Sequence, residues 1–344
     1  MTREQIDKLI SGGEFPEATG HRELIETHIS WVILCDDPAL PTGGFVYKIK
    51  KPIKYSFLDF STVERRKYFC EKELQLNQRF AKDIYLEVLP IHLVNGRFKI
   101  GGNSGMAIEY ALKMRKLNSK RRMDILLKQN KVGPQDIKYL SKWIADFHKK
   151  AAVIYGKDVL DLKEKFNDLE AEKRFISEEL GSESAKMIDN ALMVSDIFFE
   201  KHKKLMKDRL RLGFFRDCHG DLHSRNIFLL PEPQPFDCLE FNDDYRQIDV
   251  LNEVAFLCMD LDAFGKKELS DLCIRFYNIN FSTMRTAEEY QLFIFYKGYR
   301  ANVRAKVNSL RAISAKSDTI KTKALQEVEK YLKLMNSYMN SLNI

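Results

Sequence analysis

The 344-residue chain has no run of about 18 or more apolar residues, so a membrane-spanning helix is not expected. Its six cysteines (Cys35, Cys70, Cys218, Cys238, Cys258, Cys273) are scattered, with no C-x-x-C pair. That argues against a disulfide framework or a structural zinc site and fits a reduced, cytoplasmic setting. G-x-x-x-x-G-K-[ST] and G-x-G-x-x-G are both missing, which removes the two commonest glycine-rich phosphate signatures. The opening MTREQIDKLISGGEFPE places charges where a secretory signal needs an apolar stretch, so export by that route is not expected. There is no internal repeat and no low-complexity segment.

What is present reads as a globular protein: 44% hydrophobic and 31% charged residues, on a length that suits two domains. Lys plus Arg number 56 against 49 Asp plus Glu, a net charge of +7. This mild excess suits a polyanionic partner such as a nucleoside triphosphate or a nucleic acid without selecting either. The basic run Lys297, Arg300, Arg304, Lys306 and Arg311 is expected to be a solvated helix face, its stems lying over apolar surface. A nucleic-acid partner would rest on that run alone and is not expected.

The first half is strand-rich. A polar leader with a short helix reaches to about residue 25, and HISWVILC and FVYKIKK then read as two strands joined by DDPALPTGG. Ser61-Thr62-Val63-Glu64 has the form of a capping box and predicts a helix to about Phe80. IYLEVLPIHLV and GRFKIGG read as further strands, and MAIEYALKM as an extended segment or linker. From about residue 119 helical patterns dominate: 120–130, 134–155, 158–180, 183–212, 247–262 and 266–335. Strands return only briefly within FFRDCHGDLHSRNIFLLPEPQPFDCLEF.

That last stretch carries the chemistry. In His219-Gly220-Asp221-Leu222-His223-Ser224-Arg225-Asn226 a carboxylate and a carboxamide lie five apart, just before an apolar strand. A second predicted strand, Phe236–Phe241, ends in an acid, Glu240. One carboxylate for an attacking hydroxyl, with an amide oxygen and a further carboxylate for Mg²⁺, is the arrangement that phosphoryl transfer requires. H-x-D-x-H could instead belong to a metal-hydrolase site, but His21, His28, His92, His148 and His202 form no second cluster in the sequence.

The segment HGDLHSRN, followed by LEFND and by Asp249-Val250-Leu251-Asn252-Glu253-Val254-Ala255-Phe256, resembles the aminoglycoside phosphotransferase-like branch of the protein kinase-like superfamily. YKIKKP, FLDFSTVERR, FDCLEFNDD and YRANVRAKV extend the likeness to a bacterial subgroup, some of whose members are fused to a P-loop ATP-binding domain. The resemblance spans about residues 28–310. It implies an α+β, bilobal protein kinase-like fold, with a strand-rich N-lobe over 1–108 and a larger helical C-lobe over 109–344.

It also implies an ATP- and Mg²⁺-dependent phosphotransferase acting on a hydroxyl, with a small molecule as acceptor. Asp221 would take the hydroxyl proton, and Asn226 and Glu240 would hold the metal. Glu240 lies one residue beyond the usual spacing from Asn226, and Asp237 is the alternative ligand. Lys48 would pair with the α- and β-phosphates, held by Glu73 or else Glu71. The solvent-facing alternative fits Lys50 and Lys51 equally well. Glu109, Tyr110 and Ala111 fall where the inter-lobe linker would read the adenine edge through its backbone. Gly43-Gly44 marks either a phosphate-covering loop or a plain hairpin turn, and His219 is expected to brace the catalytic loop. The alternatives are a non-catalytic nucleotide-binding protein, a protein Ser/Thr kinase and an adenylyl transferase.

Overall fold

The computed structural model describes residues 1–55, 58–103 and 105–343, and leaves the side chains of residues 40–42 undescribed. Phe57 of the FLDF block is therefore outside the described residues. The chain forms two compact units: Met1–Gln129 with Arg225–Tyr245, and Asn130–Ser224 with Arg246–Ile344.

The first unit is built on a six-stranded antiparallel sheet. Its strands are β1 (Arg22–Glu26), β2 (Ser30–Asp37), β3 (Leu40–Lys50), β4 (Tyr85–Val94), β5 (Arg97–Ile100) and β6 (Glu109–Arg115), in the order β1-β2-β3-β6-β4-β5. β1 lies inside the expected leader. As an edge strand it leaves most of its side chains partly or fully exposed, so RELIE lacks the apolar alternation that marks a buried strand. Side chains alternate across a strand, and β3 divides accordingly. Tyr47 and Ile49 join the core formed with Ile6 and Leu9 of helix α1 (Arg3–Gly12). Lys48 and Lys50 point to the other face.

Helix α2 (Val63–Asn77) packs against β4 and β6. Thr62, rather than the expected Ser61, is its N-cap and accepts the Arg65 N–H at 3.3 Å, while the Ser61 hydroxyl donates to Asp59 at 2.6 Å. Gly44 sits at φ 138° beside a register shift in β2, where a Cβ would lie 2.1 Å from the Cys35 carbonyl oxygen. Gly43-Gly44 is thus part of β3 and serves the irregular end of that ladder.

The expected linker is a strand. β6 pairs with β3 on one side and β4 on the other, so its backbone donors and acceptors are largely taken up by the two ladders. The physical reason is burial: Ala111 and Leu112 are fully covered, and short apolar runs favour the middle of a sheet over a connection. The unit's sequence also returns late, since Arg225–Tyr245 packs with it. There Ile227–Leu229 pairs antiparallel with Pro233–Pro235, and Phe236–Phe241, expected as a strand, is irregular.

The second unit is helical: α3 (Pro134–Lys150), α4 (Ser182–Arg211), α5 (Val250–Ala263), α6 (Lys267–Asn280), α7 (Ala287–Ile313) and α8 (Asp318–Asn340), with shorter helical turns between residues 161 and 180. The pattern read as continuous over 266–335 is three helices. Thr286 caps α7 in a capping box with Glu289, and Ser317 caps α8. A two-stranded ladder pairs Phe215–Asp217 with Gln247–Asp249. Asp249 then caps α5, a helix buried along nearly all its length.

A buried arginine ties these helices together. Arg209 of α4 donates from Nε and Nη2 to both carboxylate oxygens of Asp249 at 2.6 and 2.9 Å, and from Nη1 to Glu289 at 2.9 Å and to the Thr283 carbonyl at 2.7 Å. Burial works against the guanidinium's charge, and Asp249 and Glu289 outweigh it, raising its pKa. Two such carboxylates without their cation are costly to bury. Arg209→Met is therefore expected to lower stability by about 3–5 kcal/mol, measured by urea unfolding.

Candidate functional site

The strand-rich unit gathers two lysines and three carboxylates. Lys48 and Lys50 lie two apart on β3 and so share a face. Glu73, on the inward side of α2 and fully buried, meets both: Lys48 Nζ donates to Oε1 at 2.7 Å and Lys50 Nζ to Oε2 at 2.7 Å. Glu71, the alternative partner, is exposed and pairs with Lys67. Lys48 also donates to Asp237 at 2.7 Å, and Lys50 donates to Glu240.

Lys50 corrects the expectation of a solvent-facing side chain, being only 1% exposed, with Nζ 4.9 Å from the Phe60 ring centroid. No pattern in YKIKK separates it from Lys48, which shares Glu73; what sets Lys50 apart is its second partner, Glu240, 190 residues away. Burial disfavours the Lys48 ammonium, but Asp237, Glu73 and Glu240 outweigh this and hold its pKa above the ordinary lysine value. Burial likewise disfavours the Glu73 carboxylate, and the two lysines overcome it, bringing its pKa down to about 2. For Glu240 burial wins over the attraction of Lys50, and its pKa is raised.

Asp237 and Glu240 reach neighbouring lysines because the segment is not a strand. Asp237 has φ 63°, a left-handed conformation uncommon for a residue with a side chain. Its N–H donates to the Tyr85 hydroxyl at 2.9 Å, and the Cys238 N–H to Asn77 Oδ1 at 2.9 Å. Asn226 is buried in the same unit, and its carbonyl accepts the Phe236 N–H at 3.0 Å. Glu109, Tyr110 and Ala111 lie on β6, where the Glu109 carboxylate is held by Arg66 at 2.8–2.9 Å. The structure thus brings Lys48, Glu73, Glu240 and Asp237 together, and places Glu109–Ala111 in the interior of the sheet.

Asp221 belongs to the helical unit. Its carboxylate is partly exposed, 3.4 Å from His223 Nε2. Burial opposes its charge, but His223, Arg304 and His219 outweigh this and hold its pKa well below the usual carboxylate range. The loop carrying it is anchored by Glu253 on α5, which accepts the His219 and Gly220 N–H groups, both at 2.7 Å. Gly220 turns there at φ 87°. Burial works against the Glu253 charge as well, and His148, with His219, outweighs it and lowers the pKa. His148 in turn lies 2.8 Å from the Tyr277 hydroxyl.

Arg300 and Lys297 correct the expectation of a solvated basic face. Arg300 donates to Asn252 Oδ1 at 2.7 Å and to the Gly220 carbonyl at 3.3 Å, and Lys297 lies 2.5 Å from Asp262. Their stagger of three on α7 turns both inward, which charge alone does not signal. Among the described residues, one His/Cys/acid group falls within 4.8 Å: His148, Cys218 and Glu253. Each already has hydrogen-bond partners in the fold, and neither Asp221 nor His223 is part of it.

Two outcomes follow. The Glu73 stabilisation is complete above the ordinary glutamate value near 4.5 and is lost as pH falls through about 2. Glu73→Gln should flatten the acid slope of unfolding free energy in that window by up to about 1.4 kcal/mol per pH unit. Glu253→Ala should release the amides of His219 and Gly220, raising their hydrogen-exchange rates on the order of 100-fold, as two hydrogen bonds to a charged group imply.

No family model matches the chain. It is 30% identical over 298 residues to the uncharacterized proteins Rv2004c of Mycobacterium tuberculosis and Mb2027c of Mycobacterium bovis, covering 85% of this chain and 56% of each relative. The chain thus spans about half the length of the curated relatives it matches. Among solved structures it is similar to amicoumacin kinase hAmiN in complex with AMP-PNP, Ca²⁺ and Ami, with a TM-score of 0.51, 11% identity, and 97% of this chain and 94% of that one covered. It is also similar to the GDP complex of wild-type aminoglycoside 2'-phosphotransferase-IIIa, with a TM-score of 0.50, 13% identity, and 92% and 94% of the chains covered. These likenesses show that the chain shares the kinase-like α+β fold of those phosphotransferases.

Proposed function

We propose that this chain is an ATP-dependent phosphotransferase that moves the γ-phosphoryl group to a hydroxyl of a small-molecule acceptor. The observation that carries the reading is the pairing of Lys48 with a fully buried Glu73. Burying that carboxylate serves to fix the lysine that a triphosphate needs. Asp221 and Asn226, five apart in HGDLHSRN, complete the set.

Asp221 is ionised over the physiological range, because His223, Arg304 and His219 prevail over its burial. It orients the acceptor hydroxyl and accepts its proton as the oxygen attacks. Glu253 and Arg300 hold the backbone on either side of Gly220, so the Asp221 carboxylate is positioned before substrate arrives. Lys48 neutralises charge on the α- and β-phosphates. Asn226, with Glu240 or Asp237, offers the hard oxygen donors that would hold Mg²⁺, and the ion would supply positive charge to offset that of the phosphates. Glu109, Tyr110 and Ala111 would contribute to the nucleotide's surroundings by supporting the sheet, since all three pair with β4 and Ala111 pairs with β3 as well. The basic groups around Asp221 favour an acceptor without positive charge.

The test is transfer of labelled phosphate from ATP to a panel of sugars, nucleosides and hydroxy acids. Asp221→Ala is expected to lower turnover by about 10²- to 10⁴-fold. MgATP should still raise its thermal midpoint by as much as in the wild type. Full activity in that variant would remove Asp221 from the mechanism. An acceptor that gains AMP instead of phosphate would establish adenylyl transfer. A protein that shows neither transfer nor a thermal shift would be a non-catalytic member of the fold.

A further inference from the structure

We infer that a divalent ion in this chain is held by Asp237 and not by Glu240, because Lys50 already occupies Glu240 as a built-in cation. This rests on the phosphotransfer reading.

The two carboxylates differ in what surrounds them. Glu240 is 4% exposed and its partner Lys50 is 1% exposed. The Lys50 ammonium donates to Glu240 Oε1 and, at 2.7 Å, to Glu73 Oε2, with the Phe60 ring beside it. An ion at Glu240 would have to displace an ammonium that has no route to water. Mg²⁺ also retains several waters of its own in an octahedral shell, and a carboxylate this enclosed has no room for them.

Asp237 has the opposite character. Its side chain is 44% exposed, and its contact is Lys48, the lysine assigned to the phosphates. Its φ of 63° is a left-handed conformation, one that few residues with a side chain adopt. Among the described residues the other non-glycine positions at positive φ are Asn95 and Asn130, and asparagine and aspartate both tolerate this region. Three hydrogen bonds fix the turn. Tyr85 accepts the Asp237 N–H at 2.9 Å, Asn77 accepts the Cys238 N–H at 2.9 Å, and Asn77 Nδ2 donates to the Glu73 carbonyl at 2.9 Å. The fold therefore fixes the one solvent-reaching carboxylate of the cluster against the phosphate lysine. Glu240 is a structural counter-ion that keeps Lys50 buried and Glu73 in place.

The test uses Mn²⁺ as the probe, with AMP-PNP and the full chain, reading free Mn²⁺ by electron paramagnetic resonance. Asp237→Asn, which keeps the backbone conformation accessible, should weaken Mn²⁺ binding in the presence of AMP-PNP at least 10-fold and leave the thermal midpoint unchanged. Glu240→Gln should bind Mn²⁺ within threefold of wild type and unfold at lower temperature. If that variant does not fold, Glu240→Asp, which keeps a carboxylate opposite Lys50, should fold and bind Mn²⁺ within threefold of wild type. Loss of Mn²⁺ binding in either Glu240 variant, or retention in Asp237→Asn, overturns the assignment. A wild-type chain that leaves Mn²⁺ free with AMP-PNP present overturns the phosphotransfer reading and the assignment with it.

Discussion

A single carboxylate, Glu73, sits fully buried between two ammonium groups, and the strand-rich unit is organised around it. A buried charge is tolerated only when paired and hydrogen-bonded. Glu73 meets that condition by using each oxygen on a different lysine of β3. This fixes the rotation of α2 against the sheet and turns Lys48 and Lys50 toward the same side. The lysines then draw in Asp237 and Glu240 from nearly two hundred residues farther along the chain. Such a cluster tolerates the loss of a fully enclosed member, Glu73, Lys50 or Glu240, poorly, since the ion left behind is then buried without compensation.

The helical unit applies the same rule twice. Glu253 spends both oxygens on backbone N–H groups of the HGD turn, so the loop's shape follows from the need to satisfy a buried carboxylate. Arg209 gathers Asp249 and Glu289, and through them the start of α5 and the start of α7. In both units, residues expected to do chemistry are positioned by buried ions that do none themselves. Preorganisation of this kind is what a phosphoryl-transfer site needs, where placement and charge carry the rate more than covalent chemistry does.

Lys48 and Lys50 show how far the surroundings of two neighbouring lysines can differ. The residues are two apart, bear the same charge and touch the same glutamate. They differ in solvent access, 14% against 1% for the side chains, and in the second carboxylate each meets. Exposure leaves Lys48 able to meet a ligand, and enclosure makes Lys50 part of the framework.

Local sequence determined a good deal. The HGDLHSRN spacing, the strand-rich first part and helical remainder, and an inward-facing Glu73 on a helix are all local patterns, and local patterns are legible because side-chain periodicity sets which face is covered. Tertiary structure alone decided the rest. MAIEYALKM reads alike as linker or strand until β3 and β4 flank it. Lys50 reads as a solvent lysine until Glu240 arrives, and Arg300 as a surface charge until Asn252 and Gly220 lie beside it. Read as a strand, the segment would point Asp237 and Glu240 to opposite faces, yet a residue at φ 63° sets both on neighbouring lysines. The physical reason is common to all four: what surrounds a residue depends on partners distant in sequence, and no local pattern encodes them.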